Sequence, residues 1–320
     1  MAQATLPTPE KGGGAIAPPL PSQGPDNPAG LGGWGALWFL LPGLVLVAAF
    51  LALPGVFTLW LGATNYQLYG PASIHPQIVW FANYITTLTS PGFKVAAVNS
   101  GLYVLFSAII GQVALGVGMA WLLRNVHGVI RGIIESVMIF AWIIPAAVVA
   151  YLWYVFLNPG TGTLAVMLGW FHLSSLAQTQ WLYADPLLSL IVFNIWRGTA
   201  FSYMLSGAAI NSVPPSHLET AQVSGASNWQ QLKDIVLPNI KGIIVTNMLL
   251  ITLWTFNDFT PYLLVGATNP IGQLLPIYAY ANAFQLNEFG LGSAISTIII
   301  VINLVIGLVY LRMLRQKRTA

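Results

Sequence analysis

The chain has 320 residues, of which 56% are hydrophobic and only 6% charged, and its mean hydropathy is +0.74. A water-soluble fold carries about a quarter of its residues as charges to cover its surface, so this composition excludes one and leaves lipid as the solvent. The absence of cysteine removes disulfides, thiolate metal sites and a cysteine nucleophile, and the position of the charges matters more than their net value of +3.

Residues 1–33 are rich in proline and glycine, with Gly12-Gly13-Gly14 and Pro18-Pro19, and hold no apolar run. Such a segment cannot bury enough surface to offset its conformational entropy, so a disordered tail is expected, not a cleavable signal peptide. Six apolar runs follow, at about Trp34–Leu61, Val95–Leu123, Ile133–Leu157, Leu187–Ile210, Ile243–Val265 and Ala294–Leu311. Each is long enough to cross roughly 30 Å of hydrocarbon as a helix. The expected fold is all-α and polytopic, with six transmembrane helices over residues 34–314 and a short basic tail at 315–320. Pro42, Pro54 and Pro145 lie inside runs and predict kinks rather than ends, because neighbouring helices can re-satisfy the freed carbonyls.

Lys and Arg set the orientation. With the N-terminus inside, the inner segments hold Lys11, Arg124, Arg131, Lys233, Lys241, Arg312, Arg315, Lys317 and Arg318, while the outer loops hold Lys94. Both termini are therefore expected in the cytoplasm. Arg131 and Glu135, four apart near the inner end of the third run, predict an ion pair.

The longest inner connection, residues 211–242, is more elaborate than a bundle of spans requires. Ser216 with Glu219 predicts a capped helix start, and Gly225 a left-handed turn that ends the helix. A second helix from Asn228 puts Trp229, Leu232, Ile235 and Val236 on one face, and Pro238 is expected to break the chain before the fifth span. The loop resembles the EAA loop of binding-protein-dependent ABC importer permeases, which reads E-A-A, three residues, G-A, and later I-x-L-P. Glu219, Ala221, Gly225, Ala226, Ile235, Leu237 and Pro238 match; Thr220 and Ser224 depart from the pattern. In that family the loop is the coupling helix that seats in a separate ATPase.

The resemblance is strongest to the sugar-importer branch. It includes Phe81-Ala82-Asn83-Tyr84, Asn158-Pro159-Gly160-Thr161-Gly162, Phe256-Asn257-Asp258-Phe259 and Phe289-Gly290-Leu291-Gly292-Ser293-Ala294. At Val265-Gly266-Ala267-Thr268-Asn269-Pro270 the chain departs from the family's T-G-G-G-P. The resemblance implies a permease subunit of an ATP-driven importer in a bacterial or archaeal cytoplasmic membrane. It also implies the partners: a second related permease, two ABC ATPase subunits that bind the ATP, and an extracytoplasmic solute-binding protein. By the family's motifs, sugar contacts fall on Trp142, Ala146, Arg197, Gly198, Trp254, Thr255 and Asp258. The residues support this independently. Arg197 and Asp258 are charges at bilayer depth, which either contact the solute or form a structural ion pair within the bundle or with the partner subunit, and Asp258 is expected on one helix face with Ile251, Trp254 and Thr255.

A gradient-driven transporter would explain the spans and buried charges but not the 211–242 loop. No G-x-x-x-x-G-K-[ST] is present, so ATP hydrolysis belongs to another chain, and no H-E-x-x-H or G-x-S-x-G supports an enzyme. The four histidines have no metal-ligand spacing, so no metal, no cofactor and no nucleic acid are expected, and lipid is the surrounding partner.

Overall fold

A computed structural model of the chain describes residues 33–266 and 273–315, with side chains over 38–266 and 273–314. The expectations for the N-terminal tail, for Ala267-Thr268-Asn269-Pro270 and for the basic end beyond Arg315 lie outside the described residues. In chain order the main elements are α1 (Trp38–Gly62), α2 (Pro91–Leu123), α3 (Gly128–Ile143), α4 (Ala146–Phe156), α5 (Pro186–Asn211), α6 (Pro215–Val223), α7 (Asn228–Phe256), α8 (Pro261–Val265), α9 (Leu275–Tyr280) and α10 (Phe289–Arg315). Among the described residues the β-type pairing is an isolated bridge between Thr64 and Ile78.

The described residues fall into two compact units, one ending at Pro54 and the other beginning at Gly55. The described part of the first is helical, with Pro42 inside the helix and a π-helical turn at Ala48–Ala52. Its side chains from Trp38 to Leu53 are exposed apolar groups, as a lipid-facing surface requires.

Among the described residues, α1, α2, α7 and α10 are long and apolar enough to cross a membrane, and α3 with α4 adds a fifth if the pair is one broken span. The expected fourth span, α5, has 26 residues but does not reach the same apolarity. Its buried face carries Ser189, Asn194, Thr199, Ser202 and Ser206. A helix wrapped by protein need not be apolar all round, and α5 packs against α2, α3 and α7. Small residues let it approach α2 closely. A Cβ on Gly116 would lie 2.5 Å from the Ser202 Cβ and 2.9 Å from the Tyr203 nitrogen.

The third run departs from a single kinked span. Ile144 and Pro145 are both extended, with ψ of 133° and 134°, so α3 ends there and α4 leaves at a bend of 103°. Proline disfavours a helical residue before it, and here that preference ends the helix outright. Pro238 departs in the opposite sense: α7 runs through it. The turn before it widens into a π-helix over Gln231–Val236, where Leu237 N–H donates to the Leu232 carbonyl. The wider turn accommodates a residue that lacks an N–H and crowds the preceding turn. The same order, π turn then Leu-Pro, occurs at Ala48–Ala52 and Leu53-Pro54.

Two stretches behind the family resemblance tie helix ends together. Asn83 Nδ2 donates to the carbonyls of Gly62 and Thr64. Gly290 N–H donates to the Tyr66 carbonyl, and a Cβ on Gly290 would lie 2.1 Å from the Thr64 oxygen.

Candidate functional site

A cavity of about 360 Å³ opens between α2, α5 and α7. Six of the seven sequence-predicted path residues line it: Trp142, Arg197, Gly198, Trp254, Thr255 and Asp258. Ala146 does not, because the break at Ile144-Pro145 carries it into the first turn of α4. The lining also includes Ile251, on the expected face of α7, together with Gln112, Asn194 and Phe201, which the sequence reading did not single out. The signal for Gln112 and Asn194 was available, since both are polar side chains within apolar runs.

One wall is aromatic. Phe201 sits between the two tryptophans, with ring centroids 5.9 Å from Trp142 and 4.8 Å, edge to face, from Trp254. Trp254 remains 53% exposed and Trp142 36%, so both rings keep a free face. A second group of lining residues is polar. Asn194 Nδ2 donates to Ser107 Oγ at 2.7 Å and to Thr255 Oγ1 at 3.3 Å, and Gln112 Nε2 donates to the Asn194 carbonyl at 3.1 Å.

The charged pair completes the lining. Arg197 Nη1 lies 3.4 Å from Asp258 Oδ2, with both side chains largely buried. Asp258 is not on the helical face expected for it. α7 ends at Phe256, and Asp258 occupies the break before α8, where its Oδ1 accepts the Thr260 N–H and hydroxyl. The carboxylate thus holds the turn at Thr260, just before α8, and neutralises Arg197 at once. Charge that cancels in place gives this wall direction without net attraction for an ion.

The 211–242 connection forms a short helix and the root of α7. Ser216 is not the cap; Pro214 precedes α6, and Pro215 takes the first helical position, where its missing N–H costs nothing. The capping box lies instead at Ser227 and Gln230, which exchange side-chain and backbone bonds. Gly225 has a φ of +80°, the left-handed turn expected of it. Leu232 and Val236 are buried against Trp121, Ile210 and Val213, with Leu218 and Ile235 packed alongside. Glu219, Thr220 and Val223 face outward, and Trp229, expected on the apolar face, is 66% exposed. Ala221, Ala226 and Leu237 are half-buried, and Pro238 is exposed.

Arg124 braces this knob from the end of α2. Its guanidinium lies 3.0 Å above the Trp121 ring centroid and donates to Asn228 Oδ1 at 3.5 Å. Partial burial lowers its pKa, yet a guanidinium stays charged at any physiological pH. On α3, the Arg131–Glu135 pair forms at 2.8 Å as its spacing predicts, and the same carboxylate accepts the Tyr203 hydroxyl of α5. No cluster of metal-ligating side chains occurs among the described residues.

Residues 112–318 match the family of binding-protein-dependent transport system inner membrane components. The chain is 31% identical over 281 residues to the trehalose transport system permease protein of Mycobacterium tuberculosis, covering 87% of this chain and 88% of that protein. It is 25% identical over 285 residues to the trehalose/maltose transport system permease protein of Thermococcus litoralis, covering 87% and 93%. Its fold is similar to a chain of a bacterial ABC transporter that imports the acidic polysaccharide alginate, with a TM-score of 0.74, 24% identity, and coverage of 88% and 96%. On the family match and the near-complete coverage of its relatives, the chain belongs to the inner membrane components of binding-protein-dependent transport systems.

Proposed function

We propose that the chain is one of two related permease subunits of an ATP-driven importer for a neutral sugar or related polyol. The observation that carries the substrate class is the cavity, whose lining combines exposed aromatic rings, two amides, a hydroxyl and an ion pair whose charges cancel. Sugar rings have apolar faces that stack on aromatic rings and hydroxyl rims that need directed hydrogen bonds. The names of the relatives, trehalose and maltose permeases, support the same class.

The loop over Glu219–Pro238 then serves as the coupling element. Its inner face is anchored by Leu232 and Val236, while Val223, 92% exposed, and Trp229 offer apolar surface to a separate ATPase. In this reading Glu219, Thr220, Ala221, Gly225, Ala226, Ile235, Leu237 and Pro238 form the docked knob and its root. The assembly contains a second permease, two ATPase subunits and a solute-binding protein, with both termini of this chain in the cytoplasm.

Uptake of radiolabelled trehalose, maltose and xylitol by cells carrying the complete transporter tests the reading. Uptake of at least one is expected, and Trp254→Ala is expected to lower it by about tenfold at unchanged membrane yield, through loss of a stacking face. Uptake of none of the three, or full uptake by Trp254→Ala, would sink the reading.

A further inference from the structure

We infer that Gln112 and Asn194 orient the solute by presenting two fixed amide carbonyl oxygens, which accept its hydroxyl protons. The inference rests on the sugar reading and deepens it, because it states which way the hydrogen bonds run.

An amide's oxygen and nitrogen are told apart by their partners, and here the partners decide. The Gln112 amide meets the Asn194 backbone carbonyl, which can only accept, so the nitrogen must point there. The Asn194 amide meets Ser107 Oγ, whose single proton is already donated to the Tyr103 carbonyl. Ser107 can therefore only accept from Asn194, and the Asn194 nitrogen is fixed as well. Its second contact, Thr255 Oγ1, lies on the same amide nitrogen. With both amides oriented by these bonds, neither carbonyl oxygen receives a donor among the described residues, although both residues line the cavity.

Both side chains are held rather than free, at 2% and 5% exposure. Gln112 is the last residue of a nine-residue π-helical stretch of α2, Val104–Gln112, a geometry that re-aims side chains relative to a regular helix. Gly198 supplies the space for it. A Cβ at 198 would lie 2.3 Å from the Gln112 Cδ and Oε1 and 2.4 Å from its Nε2. Gly198 is thus a positioning residue, since any side chain there displaces the amide. Neither oxygen is among the buried unpaired atoms of the described residues, so each stays open to accept a proton from a molecule in the cavity. A polyhydroxylated solute supplies O–H donors; a solute with acceptors alone does not.

The test uses the complete transporter in membrane vesicles, with whichever of trehalose, maltose and xylitol the wild type carries, and that compound's monodeoxyfluoro derivatives. Fluorine keeps the size of a hydroxyl but cannot donate. Efficiency of uptake is compared between wild type, Gln112→Met and Gly198→Ala. Taking the ratio of wild type to variant cancels the preference of the solute-binding protein, which is common to all three. At one hydroxyl position, the fluorine penalty of the wild type is expected to shrink by about threefold to tenfold in both variants, the range of one neutral hydrogen bond. The double variant should lose no more than either single one. A penalty that persists at every position in both variants overturns the inference and leaves the sugar reading standing. A wild type that carries none of the three compounds overturns both. If Gln112→Met fails to assemble, Gly198→Ala alone decides, because it leaves the glutamine chemically intact.

Discussion

Arg197 and Asp258 meet across the break between α7 and α8, and Thr260 joins them: Arg197 Nη1 is 3.4 Å from Asp258 Oδ2 and 3.2 Å from Thr260 Oγ1. Asp258 therefore has two tasks, to hold the turn at Thr260 that precedes α8 and to balance a cation on α5. Asp258→Asn keeps an oxygen for Thr260 but strands the Arg197 charge, a loss of roughly 1.5–3 kcal/mol for one bond to an ionised group. Reduced membrane yield is expected for Asp258→Asn, with recovery when Arg197→Gln is added. Yield and uptake measured on the same vesicles check this. Full yield with lost uptake would instead make Asp258 a direct ligand of the solute.

Gly116 and Gly118 are two residues apart on α2 and predict opposite outcomes. A Cβ on Gly116 meets the Ser202 side chain and the Tyr203 backbone, whereas one on Gly118 meets nothing within 4 Å. Gly116→Val is expected to lower the thermal unfolding temperature of the purified complex, at a cost of about 1–3 kcal/mol from forced separation of α2 and α5. Gly118→Ala should leave it unchanged. Equal behaviour of the two variants would contradict the close approach of these helices.

In the 211–242 connection, Gly225 stands in open space with φ at +80°, so a substitution there strains the backbone without a clash. Gly225→Val costs roughly 1–2 kcal/mol for a left-handed, β-branched residue. Both Gly225→Val and Glu219→Lys are expected to insert normally yet fail to stimulate the partner ATPase. Co-purified ATPase activity with and without the loaded binding protein reads this out. Wild-type stimulation in both variants would remove the coupling role from this loop.

Reporter fusions at Ala320 and at Met1 are expected to report the cytoplasmic side. The reason is the distribution of Lys and Arg: with the N-terminus placed inside, nine fall on inner segments and Lys94 in an outer loop. An external reporter at either end would invert the assignment of every loop.

The membrane setting, the positions of most long helices, the left-handed Gly225 and the Arg131–Glu135 pair were legible in the residues. Each depends on interactions within a few positions or on the solvent: apolar length against bilayer thickness, a glycine's freedom at positive φ, an i to i+4 reach. What each proline would do was not legible. Pro145 ends a helix at a 103° bend, while Pro238 is absorbed into a π turn of a continuous one. Local chemistry permits both outcomes, and only the packing of the flanking residues selects one. The polar wall was hidden for a related reason. Gln112, Asn194, Ser107 and Thr255 come from three helices, and 87 residues separate Ser107 from Asn194. Sequence marks a polar group within an apolar run, but its partner, and so the direction in which its oxygen points, is set only when α2, α5 and α7 close around one cavity. Tertiary structure alone decided that orientation, because an amide is symmetric in shape and acquires a direction only from what surrounds it.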